Sequence, residues 1–233
     1  MSVNASPPGW HGKLPSLGDF ASRRLDAPFI DVWDGWLAAG LLALRENNPA
    51  GWLDAYLASP SWRFLLLPGV LPGEAGEQGY AGVLMPSVDR VGRYFPFTIV
   101  QPLGDAPVST QQMRALWFWL GRLDELAADA LQDDWNVERL ESELARMAGP
   151  DLAPLQAPGS TGPLLPGALA DVALPIGCDA AQVIGIEAQA LWRDKAAGLA
   201  YWFASTELIA GRLLVSRGLP ASAAIGSLLG ATI

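Results

Sequence analysis

The chain is poor in the residues that build metal centres and cross-links. Among its 233 residues there is one cysteine, Cys178, one histidine, His11, and two lysines, Lys13 and Lys195. A lone thiol rules out an intramolecular disulfide, and one imidazole with one thiol cannot supply a zinc site from the usual nitrogen and sulfur ligands. A His-dependent triad would have to recruit His11, which lies among Pro7, Pro8, Gly9 and Gly12 with no packed element evident to hold it. Residues 1–12 are accordingly read as a flexible N-terminus. Positive charge is scarce as well: 15 Lys and Arg face 24 Asp and Glu, a net charge of −9. Phosphate binding runs on clustered Lys and Arg, so a nucleic-acid partner is not expected. The N-terminal residues lack a basic segment followed by an apolar run, which makes the cytoplasm the expected compartment. The apolar stretch 35–44 is about half the length of a membrane span, and the uncharged stretch 152–170 is broken by Pro154, Pro158, Pro163 and Pro166, so no membrane insertion is expected.

What the chain does have is apolar and aromatic bulk. Hydrophobic residues make up 51% of it, ten residues are tryptophan, and mean hydropathy is +0.23, enough for one large core or two small ones. From Asp26, a cap candidate followed by Pro28, apolar residues recur at Phe29, Ile30, Trp33, Trp36, Leu37, Leu41 and Leu44, which predicts a helix ended by Asn47, Asn48 and Pro49. A short helical piece is predicted over 51–58. Three runs of strand length, 62–67, 80–85 and 95–101, are rich in aromatic and branched residues and bounded by Gly and Pro, and are read as the sheet centre. Helical spacing resumes over 110–131 and again, with an acidic face, over 135–147. Residues 105–151 carry ten acids against four arginines, read either as a solvated face or as a surface for a basic partner. A Pro/Gly-rich loop is expected over 149–170, strands over 199–205 and 212–216, and a last short helix over 221–229. The 178–197 segment is ambiguous between helix and strand. Together these elements predict a single α/β or α+β domain spanning 1–233.

Two segments concentrate charge, glycine, proline and aromatics: residues 12–20, GKLPSLGDF, and residues 85–96, MPSVDRVGRYFP. Asp89, Arg90 and Arg93 fall on the predicted loop between two buried strands. In one reading Asp89 caps its own loop backbone and an arginine pairs with Asp19 or Asp89 itself. In the other, Arg90 and Arg93 grip a carboxylate or phosphate. Gly12-Lys13-Leu14 does not fit the order a phosphate loop requires. Ser16 and Ser87 can be proposed as nucleophiles only with Lys13 or Lys195 as base. Cys178 reads as a half-buried small hydrophobe.

These segments carry a resemblance. GKLPSLGDFASRRL, FIDVWDGWL, SPSWRFLL, GVLMPSVDRVGRYFPFTIV and the late GLPASAAIGSLL resemble the TagF family, also called ImpM, accessory proteins of bacterial type VI secretion systems. The resemblance implies an α/β fold built as a single-domain three-layer α/β/α sandwich, with a mixed central sheet. It implies a cytoplasmic, non-enzymatic regulator without cofactor or metal, a post-translational repressor that binds the forkhead-associated scaffold protein of the same system. Lys13, Asp19, Arg23, Ser87, Asp89, Arg90 and Arg93 are the residues expected to form the contact surface or the polar network that shapes it. The readings set against it are a hydrolase with a Ser16 or Ser87 nucleophile and a structural subunit of the secretion baseplate.

Overall fold

The computed structural model describes residues 6–103, 107, 109–147, 149–150, 152, 192–206 and 209–230. Its frame is a seven-stranded sheet in the order β2-β1-β5-β4-β3-β6-β7. The strands are β1 (Gly9–Gly12), β2 (Ala21–Arg23), β3 (Trp62–Leu66), β4 (Gly79–Met85), β5 (Phe97–Leu103), β6 (Leu199–Thr206) and β7 (Ile209–Arg217). The three central runs of the sequence form the meander β3-β4-β5 as expected. Among the described residues every ladder is antiparallel, which corrects the expectation of a mixed sheet. The physical reason is connectivity: β3, β4 and β5 follow one another without an intervening α-helix, and β6 and β7 form a hairpin, so among the described residues no helical crossover joins successive neighbouring strands.

Helices cover both faces of the sheet, so the three-layer arrangement holds. Alternation along the central strands divides the side chains. Phe64, Leu66, Tyr80, Leu84 and Val100 face one helical layer, and Leu65, Ala81, Val83, Met85 and Ile99 face the other. The first layer is α1 (Ala27–Asn47) with α2 (Trp52–Leu57) and the late α5 (Gly226–Leu229). The second is α3 (Thr110–Gln132) with α4 (Val137–Arg146). The caps anticipated from sequence are in place: Asp26 accepts from the Phe29 N–H at 3.2 Å, and Asn48 closes the other end of α1 on the Leu44 carbonyl. Ser109 and Gln112 cap α3 reciprocally, at 3.0 and 3.1 Å.

By length and composition α1 is the one helix among the described residues able to cross a membrane. Here its Phe29, Trp33, Leu37, Leu41 and Leu44 are buried against the sheet. The α1 layer is tied by indole hydrogen bonds. Trp33 Nε1 donates to Thr98 Oγ1 at 2.9 Å, Trp36 Nε1 to the Pro220 carbonyl at 2.8 Å, and Trp62 Nε1 to the Leu228 carbonyl at 2.8 Å. Gly40 leaves the notch that seats Ile225, since a Cβ there would lie 2.1 Å from the Ile225 side chain.

Residues 9–12, expected within a flexible N-terminus, instead form the buried strand β1. Trp10 is fully buried against Phe97, and the strand lies between β2 and β5, so its backbone groups are paired on both sides. The Pro/Gly-rich 149–170 stretch apart from residues 149, 150 and 152, the residue Cys178, and the ambiguous segment up to residue 191 lie outside the described residues.

Candidate functional site: a two-loop tip at one end of the sheet

Because β1 and β5 are antiparallel neighbours, with His11 opposite Thr98, the loop leaving β1 (13–20) and the loop entering β5 (86–96) emerge side by side. Gly12, at φ +127°, makes the exit turn, and a Cβ there would come within 2.2 Å of the Pro96 carbonyl oxygen. The two segments singled out by composition are thus one structural unit.

Asp89 is its centre, with its side chain wholly out of water. Oδ1 accepts from the backbone N–H groups of Val91 at 3.0 Å and Arg93 at 2.9 Å. Oδ2 accepts from Arg93 Nε at 2.7 Å and from the buried Lys13 ammonium at 2.5 Å. Burial works to raise the Asp89 pKa, but the hydrogen bonds from Lys13, Arg93 and Val91 outweigh it and hold the carboxyl well below the usual carboxylate range. With four donors engaged, the carboxylate has no acceptor capacity left for a metal or for a proton in transit.

The loop backbone is pinned by further bonds. The Gly92 N–H closes a turn on the Asp89 carbonyl at 3.0 Å, Asp89 N–H bonds the Arg93 carbonyl at 3.0 Å, and Arg90 N–H bonds the Leu17 carbonyl at 2.9 Å. The Arg93 guanidinium also donates to the Gly18 carbonyl and lies 3.8 Å from Asp19. Ser87 is locked from two directions: its hydroxyl donates to the Lys13 carbonyl at 2.7 Å, and its N–H donates to the Tyr56 hydroxyl at 2.8 Å. That hydroxyl in turn donates to the Ser87 carbonyl at 3.0 Å. Ser16 donates to the Trp135 carbonyl at 2.7 Å.

The structure therefore brings together Lys13, Asp19, Ser87, Asp89, Arg90 and Arg93. Arg23 touches this unit only at its margin, where it lines one cavity with Gly18, Asp19 and Phe20. It sits in β2 opposite Trp10, donates to the Ser22 carbonyl at 2.8 Å, and shares no hydrogen bond or ion pair with the Asp89 network among the described residues. Its neighbourhood is that of Glu141, which accepts from Trp10 Nε1 at 2.6 Å and pairs with Arg24. Sequence reasoning missed three contributors. Phe20 packs edge-on against Phe95 at 4.8 Å under the Lys13 ammonium and is 46% exposed; Val91 is 64% exposed; His11 Nε2 meets Asp34 Oδ1 at 3.2 Å. An aromatic directly after Gly18-Asp19 and a valine between two loop arginines were the available signals. Among the described residues, no group of three or more His, Cys, Asp or Glu is placed to hold a metal ion.

Comparison with known proteins extends beyond the loops. The TagF N-terminal domain, type VI secretion system-associated, matches residues 9–147, which contain the whole two-loop unit. The crystal structure of PA0076 from Pseudomonas aeruginosa PAO1 is similar over 97% of this chain and 96% of that one, at 32% sequence identity and a TM-score of 0.72. No curated protein matches.

Proposed function

Because the chain belongs to the type VI secretion system-associated TagF family, we propose that it is a non-enzymatic accessory regulator of that system, a post-translational repressor that binds and sequesters a forkhead-associated scaffold protein in the cytoplasm. The observation that carries this reading is the Lys13–Asp89 pair, with both side chains buried beneath loops whose outer residues are exposed. Taking two charges out of water costs several kcal/mol per ion, roughly repaid by their pairing, so such a pair adds little net stability and serves instead to fix one geometry. Here the geometry fixed is that of an exposed loop, which suits docking to a partner. Among the groups that the sequence offered for hydrolysis, the Ser16 and Ser87 hydroxyls donate to main-chain carbonyls and Asp89 is saturated, which supports this reading over a hydrolase.

The test is affinity capture of the tagged protein from its native cytoplasm, with secretion measured when the protein is overproduced. Recovery of a forkhead-associated protein together with lowered secretion is expected. Co-purification with assembled secretion particles instead would make the chain a structural subunit. Labelling by a fluorophosphonate probe that is lost on Ser87→Ala or Ser16→Ala would make it a hydrolase.

A further inference from the structure

We infer that the outer rim of the two-loop tip, Arg90 with Val91 and Phe20, is the contact itself, and that it takes an acidic segment of the partner protein, a carboxylate on Arg90 and an apolar side chain against Val91 and Phe20. This deepens the adaptor reading above and rests on it. The two loop arginines are not equivalent. Arg93 spends its guanidinium inward, on Asp89 and on the Gly18 carbonyl. The Arg90 guanidinium makes no hydrogen bond or ion pair with any described residue, although its backbone is fixed on Leu17. It lies over Gly18, where an added Cβ would be 3.9 Å from Arg90 Nη2. An unspent guanidinium on an immobilised backbone is suited to bidentate capture of a carboxylate.

The apolar half of the contact lies on the same two loops. Val91, next in the chain to Arg90, is 64% exposed. Phe20 is 46% exposed, yet its ring is held edge-on by Phe95 and lies 4.4 Å from the Lys13 ammonium. Rigid apolar groups held in water lose little conformational freedom on binding, and aromatic and arginine side chains carry most of the energy of such contacts. A chain of net charge −9 repels an acidic segment over most of its surface, so an unpaired guanidinium flanked by exposed apolar side chains offers one a place to settle. Lys13, Ser87, Asp89 and Arg93 act as positioning residues beneath this rim.

The experiment measures binding of the full chain to the purified forkhead-associated scaffold of the same system. Arg90→Glu and Val91→Asp should each weaken binding at least about tenfold. Arg90→Lys should keep part of the affinity, and Arg217→Ala, on β7 at the opposite edge of the sheet, should change nothing. Since all the altered side chains are exposed, circular dichroism and melting of the variants should match the wild type. Wild-type affinity should fall with salt between about 0.05 and about 0.3 M more steeply than that of Arg90→Ala. Wild-type capture that Arg90→Glu and Val91→Asp leave unchanged overturns this inference while the adaptor reading stands. Failure of the wild type to capture any forkhead-associated protein overturns the adaptor reading, and this inference with it. A wild-type dimer that Arg90→Glu converts to a monomer also overturns it, because the occupant of the rim would then be a second copy of the chain.

Discussion

The Lys13 ammonium lies 2.5 Å from the Asp89 carboxylate, across 76 positions of sequence, with both side chains withdrawn from water. Replacing Lys13 by Met removes one member of a buried pair and leaves Asp89 to Arg93 and two backbone N–H groups. The expected loss of stability is roughly 3 kcal/mol, the lower end for breaking such a pair, because Arg93 still holds the carboxylate. Denaturant unfolding of Lys13→Met measures it. A loss under about 1 kcal/mol, the size of an exposed pair, would mean that the pair does not hold the loops.

Acid should unfold the protein through the same kind of group. The Asp89 carboxyl is depressed below its ordinary 3.8, and Glu141 below 4.5, where burial acting to raise it is outweighed by hydrogen bonds from Arg24 and Trp10. As pH falls, the unfolded chain takes up these protons first, so the stabilisation is full above about pH 5 and drains away as pH falls through the depressed folded values. Urea midpoints measured stepwise from neutral pH downward should hold to about pH 5 and decline as pH falls through the ordinary carboxylate range and below it. In Glu141→Gln the decline should be shallower, since the amide oxygen can still accept from Trp10 while one titrating group is gone.

Tyr56 gives the alkaline counterpart. Its hydroxyl accepts from the Ser87 N–H and donates to the Ser87 carbonyl, and burial, partly offset by the hydrogen bond with Ser87, pushes the phenol far above its ordinary 10.0. Above pH 10 the unfolded chain loses that proton first, so stability should fall as pH rises further. Tyr56→Phe should make this alkaline loss shallower but not abolish it, since burial also raises the Tyr80 phenol. At neutral pH it should cost about 1–3 kcal/mol, because the Ser87 N–H is left buried without its acceptor, whereas the Ser87 carbonyl keeps the Phe95 N–H at 3.1 Å. An unchanged neutral-pH midpoint would show that the Ser87 N–H finds another acceptor.

How much of this was legible depended on how local each signal was. The α1 helix was announced by Asp26, Pro28 and a stripe at helical spacing, and the central meander by three apolar runs between glycines and prolines. The strands β1 and β2 were not. They are four and three residues long, and Ala-Ser-Arg carries no apolar alternation; their strand character comes from β5, which pairs with β1 nearly ninety positions later. The antiparallel ordering was hidden for the same reason, since pairing partners are chosen in three dimensions. Within the site, the capping of the loop by Asp89 follows from local turn chemistry and was foreseen. The burial of Lys13 beneath it was not, because a lysine among glycines reads as solvated until a carboxylate from a distant loop closes over it. Arg90 and Arg93 looked alike in sequence, and only their different partners separate them.

The slotting of β1 between β2 and β5, with Trp10 opposite Ile99, also fixes when the tip can exist. During synthesis, the N-terminal strand has no inner partner until β5 has left the ribosome, so Trp10 must wait, and closing so long a loop is among the slower steps in assembling such a sheet. The lysine of one loop and the aspartate of the other meet only after that closure. A nascent or truncated chain ending before β5 therefore cannot assemble the two-loop tip.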